Sequence, residues 1–266
     1  MKITDCHCHL DGTEKADDVF AWLKAVGVDR VCVLSRCPNR EGAKATDYVE
    51  HAARLAQGGR GKIIPFAWLD PTWSGSIKLL HHAVEKLGIR GVKIIPDGWY
   101  PWDKRCLQLY KHVEQLNVPI LFHSGILWSW GDTSRFCRPA EYEVLMEFTG
   151  IRFALAHISW PWTDECLAVA GKINHMRGSR GLARPQCYVD TTPGAPDPWR
   201  KPALQKMLGY ISEDAILFGT DGTPLRAIAY TKGNVERDKR YYQELKVSRR
   251  TQEKILSQNF DTFLNG

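Results

Sequence analysis

Eight times along this chain an apolar run of strand length gives way to a segment with helical spacing, and no other feature restricts the fold so strongly. The runs are Ile3 to Leu10, Val28 to Ser35, Lys62 to Leu69, Ile89 to Pro96, Val118 to His123, Ile151 to His157, Gln186 to Thr191 and Ile216 to Asp221. The helical segments are Asp17 to Val26 (stopped by Gly27), Ala45 to Gln57 after a polar loop from Arg36 to Ala43, and Ser76 to Leu87 (closed by Gly88). They continue with an Asp103-capped helix to Leu116, then Pro139 to Phe148, Thr163 to His175, Lys201 to Tyr210 and Val235 to Leu245. A last helix is expected from Ser248 to about Asn259. Continuous apolar strands are buried on both faces, as in parallel sheets covered by helices. Eight strand–helix units predict an α/β fold, a single-domain (β/α)8 TIM barrel with room for distortion. The 266 residues suit one such domain over 1–266, and no linker or low-complexity segment interrupts it.

Composition narrows the class of function. Apolar residues make up 44% and charged residues 25%, an ordinary globular balance. The net charge is only +6, and the basic residues after Arg226 alternate with Glu236, Asp238, Glu244 and Glu253. That alternation reads as a solvated helical face, so no nucleic-acid partner is expected. The eight cysteines are scattered with no CxxC pair. A strand starting at residue 3 leaves no room for a signal peptide, and no apolar run reaches the ~18 residues of a membrane span. The expected setting is cytoplasmic, with free thiols and no membrane contact. Cys6 and Cys8 are expected to pack on the helix-covered face of the first strand.

Ionisable residues at the ends of apolar strands cost stability unless they are paired or bind a metal, and in such barrels the chemistry sits at the C-terminal ends of the strands. His7 and His9, spaced i, i+2, project to one side of the first strand and can reach one ion, roughly 2.0–2.1 Å from each nitrogen for zinc. The fourth strand offers Lys93, the fifth ends in His123, the sixth in His157 and the eighth in Asp221. His51, His81, His82, His112 and His175 lie in helical stretches and read as surface residues. Eight tryptophans follow strands 3 to 7, and Trp99 and Trp128 are candidates to meet a flat ring or a sugar face. Arg135, with Arg138, is the candidate to hold a substrate carboxylate.

The stretches Asp5-Cys-His-Cys-His-Leu10, Gly91-Val-Lys-Ile94, Pro119-Ile-Leu-Phe-His-Ser-Gly125, Ala156-His157, Leu217-Phe-Gly-Thr-Asp-Gly-Thr-Pro224 and Ile255 to Leu264 resemble the amidohydrolase superfamily. The similarity is to its branch of small metal-dependent hydrolases and decarboxylases, which includes aminocarboxymuconate semialdehyde decarboxylase. The resemblance implies that His7, His9, His123 and Asp221 hold one catalytic divalent metal, zinc for preference. It places His157 beside the substrate or the activated water, and makes Asp221 a proton acceptor. It also implies a second arrangement, in which a carboxylated Lys93 bridges two metals. TatD-like nucleases share the first His-x-His but carry a glutamate after strand 4 that Ile89 to Asp97 lacks, and histidinol-phosphatase-type phosphoesterases follow the histidines with a different acidic pattern. The expected activity is hydrolysis of a small cyclic or carboxylated substrate (a lactone, amide or ester) by a metal-activated water. Non-oxidative decarboxylation of a small unsaturated or aromatic acid is the alternative, and a catalytically silent ligand-binding barrel is the reading from another class. The partner is a small molecule, and a homo-oligomer stays open.

Overall fold

The computed structural model describes residues 1–38, 44–182 and 184–266; residues 39–43 of the expected polar loop lie outside the described residues. Eight strands form one sheet in chain order, every adjacent pair parallel. They are β1 Thr4–His9, β2 Arg30–Leu34, β3 Ile63–Trp68, β4 Gly91–Ile94, β5 Ile120–Phe122, β6 Phe153–Leu155, β7 Cys187–Asp190 and β8 Ile216–Leu217. Backbone bonds from Cys6 N to Phe218 O (2.9 Å), Asp221 N to His7 O (2.9 Å) and His9 N to Gly222 O (2.8 Å) tie the segment after β8 to β1. The turn around the barrel is thereby completed, although β8 itself is only two residues long.

The strands are buried on both faces, as their unbroken apolar character requires. Val31, Val33, Val92, Ile94, Ile120 and Phe122 face outward into a core shared with the helices. The helices are α1 Ala16–Val26, α2 Ala45–Gly58, α3 Ser76–Leu87, α4 Lys104–Gln115, α5 Thr163–Ser179, α6 Asp197–Tyr210 and α7 Ile228–Glu244. Left-handed Gly27 and Gly88 end α1 and α3, and the Asp103 side chain caps α4 by accepting from Arg105 N. Among the described residues no helix is long and apolar enough to cross a membrane.

The inward cluster includes Leu34, Ile64, Phe66, Leu121, Tyr188 and Leu217, together with Phe260, Phe263 and Leu264 from the C-terminal segment. That segment runs as α8 Arg249–Glu253, a π-turn Lys254–Gln258 and α9 Asn259–Asn265, so the last helix extends six residues beyond the expected Asn259. It lies across the starts of the strands. Asn259 Nδ2 donates to Ile216 O, Arg152 Nε to Phe263 O, and the Ser257 and Thr4 hydroxyls meet at 3.0 Å. Rings of Phe260 and Phe263 pack on Phe66 and Tyr188 inside the barrel.

Other elements depart from the sequence reading for identifiable reasons. Helices α6 and α7 begin at Asp197 and Ile228, several residues ahead of the expected starts. Pro139–Glu147 winds as a 3₁₀ helix, and the carbonyls of Leu145 and Phe148 accept instead from Gln186 Nε2. Cys6 does not face the helices. A break in the β1–β2 register between Asp5 and Cys8 turns Cys6 into the barrel interior, while Cys8 keeps the outward position expected of it.

Candidate metal centre

The irregularity in β1 sets up the site. Asp5 accepts from His7 N (3.0 Å) and Thr220 N (3.0 Å), which clamps the offset strand against the end of β8. Burial pushes the Asp5 carboxyl up to about 7. Gly219 is the other condition. A Cβ there would lie 2.5 Å from the Thr192 methyl and 3.1 Å from both Cys6 Sγ and His7 Cβ, so only glycine lets β8 pass this close.

His7 and His9 do reach the same point. His7 Nε2 lies 3.2 Å from His9 Nε2 and 3.4 Å from Asp221 Oδ1, and His9 Nε2 lies 3.2 Å from that same oxygen. Among the described residues, His7, His9 and Asp221 form the group whose donor atoms converge closely enough to share an ion. Lys93, wholly buried, brings Nζ to 3.2 Å from His7 Nε2. Burial lowers its ammonium to about 8, against the pull of Asp190 and Asp221.

Proton positions follow from the far side of the rings. His7 Nδ1 is 2.8 Å from Asp190 Oδ2. Burial works against ionisation of Asp190, but contact with His7 and His157 and the Thr192 hydrogen bond hold it below the usual carboxylate range. Burial lowers His7 to about 3, with the Lys93 charge adding to the effect. A neutral His7 therefore carries its hydrogen on Nδ1 and donates to Asp190, leaving Nε2 bare. The other carboxylate oxygen works at one remove: Thr192 Oγ1 donates to Asp190 Oδ1, and the same hydroxyl oxygen lies 2.9 Å from His157 Nδ1. With its own hydrogen spent on Asp190, Thr192 can only accept from His157. Burial lowers His157 as well, so its Nε2 is also bare.

Three acceptor atoms do not gather at 3.2–3.4 Å without a cation or a shared proton. A tetrahedral ion with ligand bonds of 2.0–2.1 Å places its ligands roughly 3.3 Å apart. The donor types, their spacing and the carboxylate behind His7 all fit such an ion. His123 stands apart from this close group. Its Nε2 donates to Ile126 O (3.1 Å), which leaves Nδ1 bare, and its ring centroid is 5.0 Å from that of His157.

Backbone strain concentrates at the same place. His157, Ile158 and Ser159 have φ of 64°, 47° and 51°, and Asp221 has 55°. Non-glycine residues avoid this region, most of all β-branched ones such as Ile158. The His157 amide is held there by Asp190 Oδ1 (3.3 Å) and Thr192 Oγ1 (3.2 Å). Gly194 gives it room, since a Cβ at that position would sit 2.5 Å from His157 Cβ.

A cavity of about 850 Å³ opens over these groups, with His9, His123, His157 and Asp221 in its walls. Trp128 lines it, although 88% exposed, and so does Trp160. Trp99 does not: it is buried in the core outside the barrel. Arg135 is also elsewhere, paired with Asp132 at 3.2 Å and lying over the Phe136 ring, and Arg138 pairs with Glu165. Asp190 escaped the sequence reading although it lies inside the expected strand Gln186 to Thr191 and closes β7 at the barrel mouth.

Comparison with solved structures shows the same fold at low identity. The chain resembles 2,6-dihydroxybenzoate decarboxylase from Rhizobium, with 16% identity, TM-score 0.68, and 99% of this chain and 98% of that one covered. It resembles a probable 2-pyrone-4,6-dicarboxylic acid hydrolase from Acinetobacter baumannii with citric acid bound (13% identity, TM-score 0.66, all of both chains covered). A third relative in shape is an amidohydrolase from Burkholderia multivorans with bound zinc, at 12% identity and TM-score 0.67 over 99% of each chain. No curated protein matches the sequence. The sequence model of the Amidohydrolase family matches residues 36–259, a stretch that takes in Lys93, His123, His157, Asp190 and Asp221 but begins after the two histidines of β1. With most of its length matched and its polar strand ends gathered at one mouth, the chain belongs to the amidohydrolase family of enzymes.

Proposed function

We propose that the chain is a metal-dependent hydrolase of a small carboxylated or cyclic substrate, opening a lactone, amide or ester, with His7, His9, His123 and Asp221 as the ligands of one zinc-like ion. The observation that carries this reading is the convergence of His7 Nε2, His9 Nε2 and Asp221 Oδ1 at 3.2–3.4 Å beside the cavity. A divalent ion there would supply a Lewis acid that polarises a substrate oxygen and acidifies water. The chain's own groups do the rest. Asp190 keeps the hydrogen of His7 on Nδ1 and, through Thr192, that of His157 as well. His157 then presents a bare Nε2 to the cavity, suited to accept a hydrogen bond from the attacking water. The nearby histidines hold Asp221 well below the usual range despite its burial, so it is ionised and able to take that water's proton. The loops after β5 and β6, with Trp128 and Trp160, cover one side of the substrate.

Relatives in shape include both a decarboxylase and a hydrolase, so the test has to separate bond types as well as metal content. Metal per chain is measured by elemental analysis after growth in zinc, for the native chain and for His7→Asn, His157→Asn and Lys93→Ala. The expectation is one ion per chain, lost from His7→Asn and kept by the other two. Turnover of His157→Asn should fall about 10²–10⁴-fold. Two ions per chain, with the second lost from Lys93→Ala, would replace the single-metal reading by the bridged one. Ring opening of pyrone and other lactone acids supports hydrolysis, whereas carbon dioxide released from hydroxybenzoates without ring opening would make the chain a decarboxylase.

A further inference from the structure

Helix α7 places Asn234 and Arg237 in the wall of the cavity that the histidines also line. Three residues apart, they share one face of the helix. Asn234 is 5% exposed, and its Nδ2 has no hydrogen-bond partner among the described residues. The guanidinium of Arg237 is only partly satisfied. Nη1 meets Asp197 Oδ1 at 3.0 Å and Nε leans on Asp238 Oδ1 at 3.4 Å, but Nη2 is buried with no partner among the described residues.

A buried donor left unpaired costs more than a hydrogen bond normally returns, and a charged donor costs most. Two such donors, three residues apart on a helix that lines a catalytic cavity, are therefore a strong signal. Their position is fixed from behind. Arg200, wholly buried on α6, pairs with Asp238 and also donates to the carbonyls of Thr191 and Thr192 just after β7. The backbone beside Arg237 is thus tied to the same strand end that carries Asp190. The remaining charged residues of α7 in the wall are otherwise engaged: Glu236 lies 3.9 Å from Lys232, and Arg240 faces Glu244 and the Tyr241 ring.

We propose that Asn234 Nδ2 and Arg237 Nη2 form an anion subsite that holds a carboxylate of the substrate away from the bond that reacts. This rests on the reading of the cavity as a catalytic site, and it makes the substrate a small acid with a second functional group facing the histidines. Arg237 and Asn234 are its specificity-determining residues, in place of Arg135 and Arg138. A planar guanidinium edge beside an amide donor suits the two oxygens of a carboxylate.

The probe is isophthalate, with its neutral diamide isophthalamide as the control, titrated calorimetrically into zinc-loaded and chelator-stripped protein. The native chain should bind the acid in preference to the diamide in both forms. Arg237→Gln should weaken isophthalate roughly 10–100-fold, the scale of a hydrogen bond to a charged group, and isophthalamide by less than about 2-fold. Asn234→Ala should give a smaller loss of the same selectivity. Asp197→Asn, at an exposed position, removes the negative charge paired with Nη1 and should strengthen isophthalate several-fold. Equal losses for acid and diamide, an unchanged Arg237→Gln, or no preference in the native chain would each overturn the subsite. If Arg237→Gln does not fold, Asp197→Asn decides, and an unchanged affinity for isophthalate overturns the proposal. A protein that takes up no zinc but still discriminates acid from diamide through Arg237 would refute the metal reading and leave the subsite standing.

Discussion

At the N-terminal end of the barrel, Phe260 lies 6.4 Å from Phe66 and Phe263 lies 5.0 Å from Tyr188, centroid to centroid, and the polar groups of the C-terminal segment run outward to strand starts. At the other end, Asp5, His7, Lys93, His157 and Asp190 are all buried, and His157, Ile158, Ser159 and Asp221 hold left-handed backbone. The same eight strands thus end in a low-cost apolar plug on one side and in expensive buried polar and charged groups on the other. Aromatic packing tolerates variation in shape. Buried charge does not, because each ion depends on a particular partner. A substitution at the base should therefore register in stability alone, and one at the mouth in ion or ligand binding as well.

Arg200→Met should sharpen that contrast most. It leaves the buried Asp238 carboxylate with only the long 3.4 Å contact to Arg237 Nε in place of the Arg200 pair, a loss of about 3–5 kcal/mol in urea-melt stability. A loss below about 1 kcal/mol would mean that the mouth is not held by charge. Asp190→Asn comes next. An amide facing His7 Nδ1 can donate to it, which makes the Nδ1 lone pair the acceptor and moves the ring hydrogen to Nε2, so zinc affinity should fall roughly 10–100-fold in competition with a chelator. Unchanged affinity would show that something other than Asp190 sets the His7 tautomer. Phe263→Leu at the base should cost less than about 1.5 kcal/mol and leave zinc content as it was. Zinc loss from this variant would break the separation between the two ends. Arg30→Ala removes the pair with the half-exposed Asp261 and should cost only about 0.2–1 kcal/mol by thermal melt.

The parts of this division that could be read in the sequence are those where side-chain type and strand position coincide. His7, His9, His123, His157 and Asp221 stand out because an ionisable residue ending an apolar run has few reasons to be there. Asp190 obeys the same rule, but its role depends on the ring across the barrel, which linear spacing does not reveal. The offset in β1 that turns both Cys6 and His7 inward is set by Asp5 bonding to Thr220, more than two hundred residues away. Asn234 and Arg237 were hidden for another reason. Helix α7 is rich in alternating charge, and that pattern looks alike whether one face meets water or a substrate. The base was partly legible: a last helix is expected from Ser248, and Ile255 to Leu264 is part of the family resemblance, but neither says that the segment enters the barrel.

The run His157-Ile158-Ser159 also bears on how this protein could be engineered. Left-handed backbone costs on the order of 1–2 kcal/mol per residue when the residue is not glycine. Glycine at position 158 would remove that cost locally and would pass for an improvement in any screen for heat tolerance. It would also free the peptide that aims His157 into the cavity. Variants chosen for robustness alone would accumulate at this triplet, and the enzyme would grow tougher as it lost its aim.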